Sequence, residues 1–271
     1  RNDLDGDANM GRETYLMPMQ WESTIVKWEQ VSEDRWEPLR YLFPVVAPLT
    51  GKVERFTPLP FTDRPQYINN TVIDDFLNEN LDLRWTFIRV PEEKTYSLLE
   101  NPGFLRLYSK PGKIEDRKRF SLVGFRQKES DFEFEVKMNF LPNKDKVESG
   151  VIHYQKEWNY LTNTVIKKRK KYYLEQKLKE KGKEVVTLKK TILKGYDGNI
   201  ILKVKSKKDR YDFFYSLNDG SSFDYFTSIE AIKVLDRNYT GALLGLFTTS
   251  NGVLSQDYAD YDWVRYKDFV R

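Results

Sequence analysis

The stretch DFEFEVKMNF, residues 131–140, decides the fold class. Phe132, Phe134, Val136 and Met138 alternate with Glu133, Glu135 and Lys137. A period of two sends successive side chains to opposite faces, so the segment reads as a strand with one face to a core and one to water. Working outward, FLRLYS (104–109), SGVIHYQ (149–155), YYLEQKL (172–178), EVVTLKK (184–190), NIILKVKS (199–206), YDFFYSL (211–217) and GALLGLFTT (241–249) read as further strands. Pro111 with Gly112, Asp197-Gly198-Asn199 and Asn218-Asp219-Gly220 punctuate them as turns. Many short strands at this spacing predict an all-β, two-sheet antiparallel beta-sandwich or jelly roll. Helical candidates are short, the clearest near residues 228–234.

Composition agrees. The 271 residues are 39% hydrophobic and 15% aromatic, too rich in core formers for disorder. Forty-five Lys and Arg face 41 Asp and Glu, a net +4, so total charge demands no polyanionic partner and no nucleic acid is expected. No apolar run approaches the roughly 18 residues of a membrane helix. Cys is absent, which excludes disulfides, thiolate metal sites and a catalytic thiol. His153 is the only His, so no site can use two imidazoles, and no G-x-S-x-G elbow accompanies it. The chain opens on Arg1 without a signal peptide, read as a removed N-terminus or a fragment.

Residues 1–69 differ, holding seven of the 11 prolines. Residues 15–28 read as one or two isolated strands. Residues 40–65 read as an irregular connector in which Pro blocks regular pairing. A lone strand pair does not hold itself together, so this part is expected to belong to a larger body.

Each candidate site has a bland reading beside the functional one. Asp3, Asp5 and Asp7 alternate, but Ala8 and Thr14 stand where an EF-hand needs Gly and Glu, so a solvated acidic loop is expected. KKRKK (167–171) is either a phosphate-contacting patch or a hairpin tip whose charges guard an edge; stacking aromatics are not interleaved, which favours the tip. His153 faces opposite to Ile152 and Tyr154 and reads as structural, with a ligand contact as the alternative. Trp158 and Tyr160 in EWNYLTN are candidates for stacking on sugar C–H faces, with core packing the commoner fate of such residues. Asp74 and Asp75 point to opposite faces and cannot act as a pair. Asp260 and Asp262 share a face and read as capping the terminal strand or holding a cation. No catalytic carboxylate pair is found. Asn69 and Asn238 head N-glycosylation sequons, a hint of secretion.

Several stretches together resemble glycoside hydrolase family 43, the beta-xylosidases and alpha-L-arabinofuranosidases. GRETYLMPMQWE (11–22) is similar to the segment closing the family's five-bladed catalytic propeller, and YLFPVVAPLTGKVERFTPLP (41–60) to the Pro-rich bridge after it. DDFLNENLDLRWTFIRVP (74–91), NPGFLRLYS (101–109), LVGFRQKESDFEFEVKMNF (122–140), YSLNDG (215–220), YTGALLGLFTTSNG (239–252) and ADYDWVRY (259–266) resemble, in order, its C-terminal sandwich, most like the fungal branch. The resemblance implies a propeller remnant over 1–28, a connector over 29–70 and a concanavalin A-like sandwich, also classed as carbohydrate-binding module family 91, over 71–271. It implies inverting hydrolysis of xylan or arabinoxylan bonds by an Asp base and a Glu acid on earlier propeller blades. No catalytic residue then falls in this chain, and the chain alone should lack glycosidase activity. By position Arg12 would contact substrate, ahead of Trp158 and Tyr160. Leu243 stands where the family has an aromatic on the pocket wall. Arg126 and Gln127 are expected at the domain interface. The implied partners are the protein's own propeller and xylan or arabinoxylan oligosaccharides, in a secreted protein. No cofactor is expected beyond a structural calcium at most. The alternatives are a non-catalytic, lectin-like carbohydrate-binding module and a purely structural spacer.

Overall fold

The computed structural model describes residues 17–52, 71–91, 94–116, 120–207, 209–236 and 241–269. They form two units, a hairpin within residues 13–67 and a sandwich from residue 68 onward.

In the hairpin, β1 (Met19–Ser32) pairs antiparallel with β2 (Arg35–Val46), from Met19 opposite Val46 to Ser32 opposite Arg35. This corrects the irregular connector expected from residue 40: the strand runs on to Val46 through Pro38 and Pro44. Both strands of a two-stranded ribbon are edges, and an edge accommodates Pro where its missing N–H would point outward. β1 also runs unbroken across residue 28.

The sandwich strands in chain order are β3 (Thr71–Asp74), β4 (Trp85–Phe87), β5 (Tyr96–Ser97), β6 (Leu105–Tyr108), β7 (Ser121–Arg126), β8 (Phe132–Asn139), β9 (Glu148–Lys156), β10 (Asn159–Lys168), β11 (Lys171–Lys179), β12 (Val186–Ile192), β13 (Asn199–Lys207), β14 (Arg210–Ser216), β15 (Asp224–Glu230), β16 (Leu243–Thr249) and β17 (Tyr258–Asp268). One sheet runs β12-β11-β10-β9-β16-β7-β4. The other runs β15-β14-β13-β8-β17-β6-β5, with β3 also on β17. The expected two-sheet antiparallel sandwich is the fold.

β8 behaves as its alternation requires. Phe132, Phe134, Val136 and Met138 are buried between the sheets, against Leu161, Leu246 and Tyr266. Glu133, Glu135 and Lys137 face the other way and meet cross-strand partners. Lys205 lies 2.8 Å from Glu133, Lys203 lies 3.0 Å from Glu135, and Arg265 also bonds Glu135. Cross-strand pairs of this kind set register on a sheet face.

The seven-stranded sheet is buried on both faces at its centre. Ile152, Tyr154, Tyr160, Leu122 and Phe247 form a second apolar cluster with Ile114, which comes from a 3-10 turn (Ile114–Asp116). Every residue of β9 from Glu148 to Gln155 is buried, so β9 and β10 lack the alternation seen in β8. At Gly150 the neighbouring chain comes so close that an added Cβ would lie 2.2 Å from the Asn163 carbonyl oxygen.

The segment near 228–234, read as helical, is instead the end of β15 followed by one 3-10 turn (Ala231–Lys233). Pairing of Thr227 to Glu230 with β14 overrides the local pattern.

Candidate functional site

Trp158 sits in the tight turn from β9 to β10, and three loops hold that turn in place. The Asn159 side chain donates to the Val234 and Leu235 carbonyls at 2.7 and 2.9 Å and accepts from the Lys181 N–H at 3.0 Å. The Gly182 N–H donates to the Trp158 carbonyl at 2.8 Å. The indole is 40% exposed, and its N–H donates to Asp236 at 3.2 Å. Lys156 lies 3.2 Å from the same carboxylate and 5.3 Å from the ring centre. Arg89 pairs with Glu157 at 2.7 Å beside them. An aromatic face flanked by a carboxylate and an ammonium suits a sugar, which offers C–H faces and hydroxyl edges. On the neighbouring strand, Leu243 pairs with Tyr154 and Arg126, close to this turn.

Tyr160 does not join the site, which corrects its reading as a stacking platform. It is 4% exposed inside the second apolar cluster, and its hydroxyl donates to Glu115 at 2.7 Å. Burial, then Glu115, pushes the phenol pKa up. Parity explains the difference: Tyr160 points onto the covered outer face of the sheet opposite Tyr154, while Trp158 lies in the turn. Arg12 lies outside the described residues, as do Asn69 and Asn238.

His153 points between the sheets, opposite to Ile152 and Tyr154, as its parity predicts. It packs 4.6 Å from the Tyr211 ring, and neither ring nitrogen has a hydrogen-bond partner. Burial lowers its pKa to about 3, so it is neutral and structural.

The five carboxylates buried among the described residues, Glu135, Glu148, Glu175, Asp257 and Asp260, are engaged, while half-buried Asp268 keeps one oxygen without a hydrogen-bond partner and burial raises its pKa. Asp260 takes a two-point grip from Arg106 at 2.7 and 2.8 Å and a bond from Asn101, in place of the cation its pattern allowed. Asp262 meets Lys137 at 3.1 Å. Asp74 accepts from the Trp85 indole and the Phe76 N–H. Burial would raise the Asp257 pKa, but N–H donors of Asn143 and Lys144 and the Ser255 hydroxyl bring it below the ordinary value. No group of three or more metal-ligating side chains occurs among the described residues.

Sequence reasoning missed one polar network on the outer face of the seven-stranded sheet. Glu148 accepts from Thr164, Lys177 and Asn251 at 2.7, 2.7 and 2.8 Å. Glu175 accepts from Lys168 at 2.7 and 2.8 Å and lies 3.8 Å from Lys177. Burial works against the Glu148 charge, but Lys177 and these hydrogen bonds outweigh it and lower the pKa. Strand pairing assembles this network, and spacing along the chain carries no sign of it. Asp236 was missed for the same reason: it reaches Trp158 from 78 residues away. At the end of β7, Arg126 is exposed, while Gln127 is buried with its side chain donating to the Glu129 carbonyl.

Comparison with known proteins agrees with the fold. The chain is 26% identical over 262 residues to a non-reducing end alpha-L-arabinofuranosidase of Bacteroides ovatus, covering 96% of this chain and 45% of that protein. It is 29% identical over 274 residues to a xylosidase/arabinosidase of Butyrivibrio fibrisolvens, covering 95% and 47%. Among solved structures, the GH43 protein BlXynB of Bacillus licheniformis superposes with a TM-score of 0.78 at 26% identity, over 99% of this chain and 49% of that one. The chain thus spans about half the length of the curated relatives it matches. The family described as the beta xylosidase C-terminal concanavalin A-like domain matches residues 73–267, well over half the chain, and the chain belongs to this glycoside hydrolase family 43 domain family.

Proposed function

We propose that the chain is the accessory sandwich of a secreted glycosidase that cleaves xylosidic and arabinosidic bonds of xylan-type hemicellulose with inversion, and that it contacts sugar without performing the chemistry. The engagement of the buried carboxylates carries this reading. Glu135, Glu148, Glu175, Asp257 and Asp260 are each tied to a cation or to N–H and O–H donors. Inverting hydrolysis needs one carboxylic acid free to donate and one carboxylate free to activate water, about 6.5–9.5 Å apart. Those groups then belong to a propeller that is this chain's partner. The hairpin supports such a partner: Trp21, Trp28 and Trp36 are 58, 56 and 57% exposed on a ribbon too small to stand alone. Trp158, flanked by Lys156 and Asp236, is the sugar contact within the sandwich, and Arg12 is a second by its place in the resemblance.

Two measurements on the 271-residue chain test this. Incubation with a nitrophenyl xyloside should give no turnover, and enzyme-like rates would overturn the reading. Titration calorimetry with xylohexaose should give heat; none at millimolar sugar favours a structural spacer instead.

A further inference from the structure

The chain's charge is distributed far from evenly. Residues 167–194 carry 12 Lys and Arg against three Glu, a net +9, so the other 243 residues together carry −5. This segment is the tip of β10, all of β11 and all of β12, one continuous edge of the seven-stranded sheet. Arg169 and Lys170 form a two-residue turn with φ of +49° and +64° between the paired Lys168 and Lys171. That is the hairpin tip expected from sequence. Lys170, Lys171 and Lys189 are exposed, and β12 is exposed along nearly its whole length.

Lysines that guard an edge against unwanted pairing sit on the edge strand itself. β12 has those in Lys189 and Lys190. The remaining cations lie at the end of β10, on the inner strand β11, on the turns at both its ends and beyond β12. Strands are about 4.8 Å apart, so neighbouring lysines lie within the Debye length of about 8 Å and repel one another. Glu175 absorbs part of this through Lys168 and Lys190, at 2.7 and 3.4 Å, and most of the excess remains. A surface that repels itself this strongly is stabilised by an external polyanion.

We propose that this edge binds a polysaccharide bearing carboxylates, a uronate-substituted xylan being the nearest chemical class. The polysaccharide identity rests on the proposed function above; the charge argument does not. Single-stranded nucleic acid would need open aromatic faces to stack on. The two aromatics of the segment are otherwise occupied. Tyr173 lies under Lys190 at 4.1 Å, and Tyr172 packs on Tyr196 at 5.2 Å.

The test is affinity electrophoresis of the full chain in gels containing glucuronoxylan, the same polymer after carboxyl reduction, or neutral arabinoxylan. Retardation should be strong in glucuronoxylan, weak after carboxyl reduction, and lost as salt rises to about 0.3 M, since contacts to a polyanion release counterions. Lys170→Glu, Lys171→Glu and Lys189→Glu combined lower the local charge from +9 to +3. This variant should bind about tenfold or more weakly at low salt, with a melting temperature no lower than the parent's, since it relieves like-charge repulsion. Lys207→Glu, Lys233→Glu and Lys267→Glu combined make the same net change at exposed positions elsewhere and should bind like the parent. Equal loss in both variants, or equal retardation before and after carboxyl reduction, overturns the proposal. So does binding to duplex DNA or to anionic lipid vesicles that glucuronoxylan does not displace. Failure of xylohexaose to bind at Trp158 would count against the proposed function alone, since that ligand is neutral.

Discussion

Replacing His153 with Phe should remove one specific part of the protein's acid sensitivity. The imidazole is buried, packs on Tyr211 at 4.6 Å and has a partner for neither nitrogen. Its folded-state pKa is lowered from 6.5 to about 3 by burial. Protonation is thus easier in the unfolded chain. Stability from this residue is fully present above about pH 6.5 and is lost as pH falls toward 3, at about 1.4 kcal/mol per pH unit. Between about pH 7.5 and pH 5 the loss is about 2 kcal/mol. Phe keeps an aromatic ring against Tyr211 and cannot take a proton. It also removes two unsatisfied buried nitrogens, worth about 1–3 kcal/mol each at all pH values. Urea unfolding followed by tryptophan fluorescence, on parent and His153→Phe at both pH values, isolates the effect because the carboxylates titrate alike in both proteins. The variant's advantage should widen by about 2 kcal/mol at the lower pH. Parallel pH dependence of the two proteins would refute the reasoning.

Other outcomes follow from the same geometry. Lys177→Met leaves Glu148 and Glu175 buried without their shared cation, which should cost about 3–5 kcal/mol in chemical unfolding at neutral pH. Because the Glu148 pKa is lowered, its stabilisation holds above about pH 4.5 and fades as pH falls further, so the variant's deficit should shrink in acid. Gly150→Ala places a carbon 2.2 Å from the Asn163 carbonyl and should lower stability by about 2 kcal/mol or more, read as a fall in melting temperature. Trp158→Ala should abolish the heat of xylohexaose binding, with a modest fall in melting temperature from the lost indole bond to Asp236. Tyr160→Phe should leave sugar binding intact and cost about 1 kcal/mol through the lost bond to Glu115.

The eight-stranded sheet was the part most legible in the chain, because one of its faces meets water and alternation marks β8, β13 and β14 directly. β10 carries no such pattern: both its faces are covered, so polar and apolar residues occur on either side without a period. β2 was misread through its prolines, since sequence does not say that a strand is an edge. The Lys168–Lys171 turn was read correctly because a two-residue charged tip between strands is a local feature.

Sequence alone determined the class of the fold, the parity of His153, the turns, and the family through its ordered segments, all of which depend on residues near one another along the chain. Only the tertiary structure decided that Tyr160 is core while Trp158 is open, that Asp236 reaches the indole, and that Glu148 and Glu175 share Lys177. Those outcomes depend on which strands become neighbours. In an antiparallel sandwich, hydrogen-bonded pairing sets side by side residues that chain order separates by dozens of positions.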